Sequence, residues 1–181
     1  MNTEYEKLEK VQDLHQPAWY DPSRQVGFFG ASFIRVGEWH YVRAFIYEHL
    51  NILYKQGCRD FYIGMDRGFS LLVLSELGYF RKQYPNCAVT LLEPKNMEAL
   101  LHEWSQVDAE AYMTLRQRVT HILHTAACSA DVKPSPVHLE LLRRCGRLVY
   151  FPGFAEGNTA LTVRLAKEQG LPIERLASWL G

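Results

Sequence analysis

From Gln25 onward the chain alternates short apolar runs with longer stretches in which apolar residues recur every three or four positions. VGFFG, at 26–30, is an apolar run closed by a glycine, the pattern of a parallel strand buried on both faces. Gly37 to Gln56 places Trp39, Val42, Ile46, Leu50 and Leu53 on one stripe, which predicts a helix stopped by Gly57. DFYIG at 60–64 predicts a second strand. Phe69 to Gln83 predicts a helix carrying Leu71, Leu72, Leu74 and Leu77, apolar around most of its circumference and so expected between two layers. AVTLL at 88–92 reads as a third strand, Glu93 to Arg118 is mostly helical in pattern, and VTHILHT at 119–125 reads as a fourth strand. Ser135 as N-cap, Pro136 at the first helical position, Arg143 and Arg144 in the last turn and Gly146 as stop frame a further helix. RLVYF at 147–151 is the fifth strand, and Thr159 to Gln169 is the closing helix, followed by Gly170 and Pro172.

Strands alternating with helices predict βαβ units: an α/β, Rossmann-like three-layer sandwich, with a mainly parallel sheet of about five strands and helices on both faces. Right-handed crossovers then bring the carboxyl ends of the strands to one edge, where open α/β sheets bind ligands. The domain spans 25–181. Residues 1–24 read as an extension: Tyr5, Leu8 and Val11 suggest a short helix to about Leu14, and HQPAWYDPSR a turn. This extension, with Trp19 and Tyr20, is expected to pack on the domain or on a second copy in a homo-oligomer.

Composition narrows the function classes. A chain of 181 residues with 48% hydrophobic and 13% aromatic residues can bury a full core. Twenty basic residues balance twenty acidic ones, so no overall field draws nucleic acid or an anionic membrane, and neither is expected as a partner. Cys58, Cys87, Cys128 and Cys145 are far apart without a CxxC pair, unlike a disulfide scaffold. MNTEYEKLEKVQD lacks the apolar core of a signal peptide, and no apolar run suits a membrane span, so a cytoplasmic location is the expectation.

Candidate chemistry gathers where strands end. The loops are Gly30-Ala31-Ser32, then Gly64-Met65-Asp66-Arg67-Gly68, and finally Gly153 through Gly157-Asn158-Thr159. The last two open directly into helices, whose unpaired N–H groups and partial positive charge favour phosphate or carboxylate. Glycine lets a ligand approach the backbone. Ser32, Ser70, Asn158 and Thr159 would add donors, and Arg67 could pair with a phosphate. The same features also serve ordinary turns and helix caps, and none of the loops matches GxGxxG or the Walker lysine pattern.

The run GMDRGFSLLVLSELGYFRKQYPNCAVTLLEP resembles the hallmark segment of the YpsA-like family of the SLOG superfamily, in which a strand ends in SGMAxGxD and a Tyr-Pro leads into the next strand. Tyr84-Pro85 stands at the matching distance from Gly68, and Trp104 and its helix suit the family's next element. Gly30 is similar to the glycine of the family's TGHRP-type first loop, and Gly157-Asn158-Thr159 with the following AxxxG-x-P-I pattern resembles its GGT loop, closing helix and strand. The resemblance covers about Val26 to Ile173. It implies a fold shared with cytokinin-activating phosphoribohydrolases and DprA-type proteins, and a nucleotide or nucleotide-derived ligand; the loop chemistry would hold such a ligand at Gly30, Ser32, Gly64, Asp66, Arg67, Gly68, Ser70, Gly153, Gly157, Asn158 and Thr159.

Departures mark a divergent member. Phe29 precedes the first glycine and Ala31-Ser32-Phe33 follows it, in place of the family's threonine and His-Arg-Pro; Ser70 and Ser75 stand at its acidic positions; its Arg-Asn pair is not recognisable in HLELLRRCG. AEGNTALTV also lacks the glutamate that follows the phosphoribohydrolase loop, leaving Asp66, Glu93 and Glu156 as loop acids. The reading therefore favours binding or sensing over catalysis, with no cofactor. Its alternatives are a nucleoside or nucleotide N-glycosidase using Asp66 or Glu93, and an interaction protein with a decayed site. His121, His124 and Cys128 would suit a metal on a helix, but on a strand the two histidines face opposite ways, so no metal is expected.

Overall fold

The structure is a computed structural model and describes residues 21–64, 66–153 and 157–176. Its elements in chain order are β1 (Gln25–Gly30), α1 (Trp39–Lys55), β2 (Asp60–Ile63), α2 (Phe69–Gln83), β3 (Ala88–Pro94), α3 (Met97–His102), α4 (Gln106–Arg116), β4 (His121–Thr125), α5 (Pro136–Arg144), β5 (Arg147–Phe151), α6 (Asn158–Glu168) and β6 (Ile173–Arg175). All six strands are parallel, in the order β4-β3-β2-β1-β5-β6. The α/β reading holds. The strand count rises from about five to six, because Ile173–Arg175 is too short to leave a periodic signal.

Strand β1 is the axis of the molecule: every residue of it is buried, and it pairs with β2 on one side and β5 on the other. Alternation along the strands supplies both cores. Phe28, Phe61, Leu91 and Val149 face one core, completed by Ile46, Leu50 and Leu53 of α1 and Val73, Leu77 and Phe80 of α2. Phe29, Tyr62, Leu92 and Leu148 face the other, completed by Val137 and Leu141 of α5 and Ala166 of α6. A buried parallel sheet demands this two-sided apolar pattern. Helix α2 packs against β1, β2, α1 and α4, which explains apolar residues around most of its surface.

Four residues of the extension are described. Asp21 caps a short 3-10 turn at Pro22–Arg24, and the turn is pinned where the Gly146 amide donates to the Pro22 carbonyl. Tyr5, Trp19, Tyr20 and the helix expected near Leu14 lie outside the described residues, as do Met65, Glu156 and Gly181. No described helix is long and apolar enough to cross a membrane.

Candidate functional site

The chain runs outward from β1 through β2 and β3 to β4, then returns to the other side of β1 for β5 and β6. The direction of winding therefore reverses between β1 and β5, and the loops after these strands flank this switch point, where such sheets form a crevice. In open α/β sheets ligands bind at such a switch point.

The first two loops close on each other. The Ala31 amide donates to the Phe151 carbonyl at 3.1 Å, and the Phe69 amide at the start of α2 donates to the Ala31 carbonyl at 2.9 Å. A Cβ on Gly68 would lie 2.8 Å from the Ala31 oxygen and 2.9 Å from the Phe33 nitrogen, so the backbones touch here. Gly30 is as tightly set, its Cβ position lying 2.7 Å from the Phe151 oxygen. Gly153 differs: a Cβ there would meet Ala31 at 3.6 Å and the Thr159 hydroxyl at 3.8 Å, ordinary contact distances. Thus Gly30, Ala31, Gly68, Gly153 and Thr159 meet around the crevice. Gly64 bonds back to the Phe28 carbonyl, and no described atom comes within 4 Å of a Cβ on Gly157.

Asp66 is not a solvated loop acid. Its side chain is only 11% exposed, and Oδ2 accepts from the Gly30 amide at 3.1 Å. The same oxygen lies 3.1 Å from Nε2 of His138, in the first turn of α5. Nδ1 of His138 lies 2.8 Å from the Thr162 hydroxyl on α6, which itself lies 2.7 Å from the Asn158 carbonyl. The hydroxyl donates to that carbonyl, and its oxygen is the partner of Nδ1. His138 and Thr162 are fully buried, and the edge of the Phe29 ring system meets the histidine at a centroid distance of 5.0 Å. The chain Asp66–His138–Thr162 ties the loop after β2 to the first turns of α5 and α6.

Several side chains expected to meet a ligand are engaged within the protein. Ser70 accepts from the Asp66 amide at 3.0 Å and is buried. Asn158 accepts from the Ser135 amide at 2.7 Å and donates to its hydroxyl at 3.1 Å, joining the starts of α5 and α6. Arg67 lies over the Trp104 ring, 6.0 Å from its centroid. Ser32 is exposed at the rim. Glu93, the second acid candidate, is buried on β3, where Arg116 holds it through two bonds of 2.7 and 3.1 Å and Tyr112 donates to it. Burial alone would raise the Glu93 carboxyl, but the bonds from Arg116 and Tyr112 outweigh it and hold the group below its ordinary value. Glu93 anchors α4 and leaves Asp66 as the acid at the crevice among the described residues.

His138 and Thr162 were not singled out from sequence, although one signal existed. Ser135-Pro136 fixes the start of α5 at the carboxyl edge of the sheet, which puts a histidine three residues later on the first turn beside the crevice. Further away, β4 is a strand and His121 and His124 are exposed on it; His124 lies 3.7 Å from Glu93. A shallow groove lined by Arg43, Tyr47, Asn51, Ile52 and Glu76 runs along α1. No protein-family model and no curated protein matches the chain.

Proposed function

We propose that this protein binds a nucleotide or nucleotide-derived ligand in the crevice between the ends of β1 and β5, as a sensing or regulatory module of the YpsA-like SLOG type. The observation carrying the reading is the meeting of Gly30, Ala31, Gly68, Gly153 and Thr159 at the switch point of the sheet. The start of α6 supplies amides and a partial positive charge for a phosphate on the β5 side. Native mass spectrometry against a nucleotide panel tests this: one nucleotide should be retained at one per chain. Gly153→Leu should abolish retention while leaving the fold intact, because a Cβ is accommodated there and the added branch would compete with a ligand for the space beside Ala31 and Thr159. Retention unchanged by that substitution would remove the site from the crevice.

The N-glycosidase reading draws support from one observation, the carboxylate of Asp66 held at the crevice by His138. The α6 first turn lacks an acidic residue to complete a phosphoribohydrolase-like pair. The expected result is therefore no release of base from nucleoside monophosphates; release abolished by Asp66→Asn would establish the enzyme.

A further inference from the structure

We infer that Asp66 determines specificity in this crevice by demanding hydrogen-bond donors from the ligand: it reads the hydroxyls of a ribose and excludes phosphate from the β1–β2 side. The inference rests on the nucleotide-binding reading and adds the ligand's orientation to it.

The argument starts from donors. At the end of β1 the Gly30 amide is the kind of group that would hold a ligand anion, and it donates instead to Asp66 Oδ2. His138 reaches the same oxygen from the first turn of α5. The protein's own carboxylate thus occupies the anion position at this end of the crevice. A phosphate placed beside this carboxylate, which is only 11% exposed, would set like charges within a few ångströms, where they repel. Both internal bonds use Oδ2, and among the described residues none bonds to Oδ1. A carboxylate accepts and does not donate, so a ligand group meeting Oδ1 must bring a proton of its own. In a phosphate-bearing nucleotide whose anion lies at α6, the ribose hydroxyls supply that proton without adding charge.

Burial fixes the carboxylate for this task. His138 is held on its other side by Thr162, and its ring is confined by Phe29. The threonine hydroxyl donates to the Asn158 carbonyl at 2.7 Å and keeps its oxygen 2.8 Å from Nδ1, which holds the ring from the α6 side. His138 and Thr162 are positioning residues, acting on the ligand through Asp66.

Titration calorimetry with adenosine 5′-monophosphate and its 2′,3′-dideoxy analogue tests the inference. Wild type should bind the ribonucleotide ~10-fold more tightly, the scale of discrimination expected when a buried acceptor loses its donor. Asp66→Asn should weaken the ribonucleotide and bring the two affinities together, and Thr162→Val should reduce the preference part of the way. Equal affinities in wild type would overturn the role of Asp66 while leaving nucleotide binding intact. Binding of neither compound, together with no nucleotide of the panel retained, would overturn the nucleotide reading and this inference with it. Should Asp66→Asn fail to fold, equal affinities in wild type still overturn the inference, and a preference narrowed by Thr162→Val, which leaves the carboxylate in place, supports it.

Discussion

Gly68 illustrates how one residue carries two readings. Its sequence context, a glycine opening a helix, suggests close approach by a ligand; the structure places the backbone of Ala31 to Phe33 there instead. Gly68→Ala must push apart two backbone segments, and a loss of about 2 kcal/mol is expected in chemical denaturation, at the scale of overpacking. Thr162→Val should cost about 1 kcal/mol, the worth of a buried hydrogen bond left unmade at His138. Residue roles were the least legible level. Ser70 and Asn158 have the chemistry of ligand donors, but their hydrogen bonds go to Asp66 and Ser135, partners that only the folded chain brings together.

Elements were easier to read, because caps and periods are local. Helix α5 starts at Pro136 with the Ser135 hydroxyl accepting from the His138 amide, as its punctuation predicts. Ser135→Ala should cost about 1 kcal/mol for the lost cap, and it also removes the acceptor of the Asn158 amide group on α6. A melting temperature unchanged from wild type would show that neither bond matters. Helix α4 is fastened by a contact no local pattern announces, Arg116 and Tyr112 on the buried Glu93. Because the folded Glu93 carboxyl lies below its ordinary value of 4.5, it contributes stability above that pH, and the contribution is lost as pH falls through the lower folded value. Arg116→Met should destabilise the protein by about 2 kcal/mol at neutral pH, by leaving a buried charge without its partner. Acidification should then cost the variant less than it costs wild type. Denaturation curves at neutral and acidic pH check both expectations; an equal acid loss in the two proteins would remove Glu93 as the cause.

At the scale of the molecule, alternating strand and helix patterns were enough to predict parallel βαβ units with helices on both faces. They could not order the strands. The return of the chain from β4 to the far side of β1, which makes the switch point, is a long-range fact: β5 pairs with β1 from Val26 with Arg147 to Gly30 with Phe151, and Phe29, Leu148 and Leu141 share one core. The central claim is that a ligand enters at this crevice rather than at the groove along α1. Amide chemical-shift mapping during a titration with adenosine 5′-monophosphate tests it most directly. The account expects saturable shifts at Gly30, Asp66, Gly153 and Thr159, with the β4 amides unmoved. Shifts confined to Arg43, Tyr47, Ile52 and Glu76, or none at all, would contradict it.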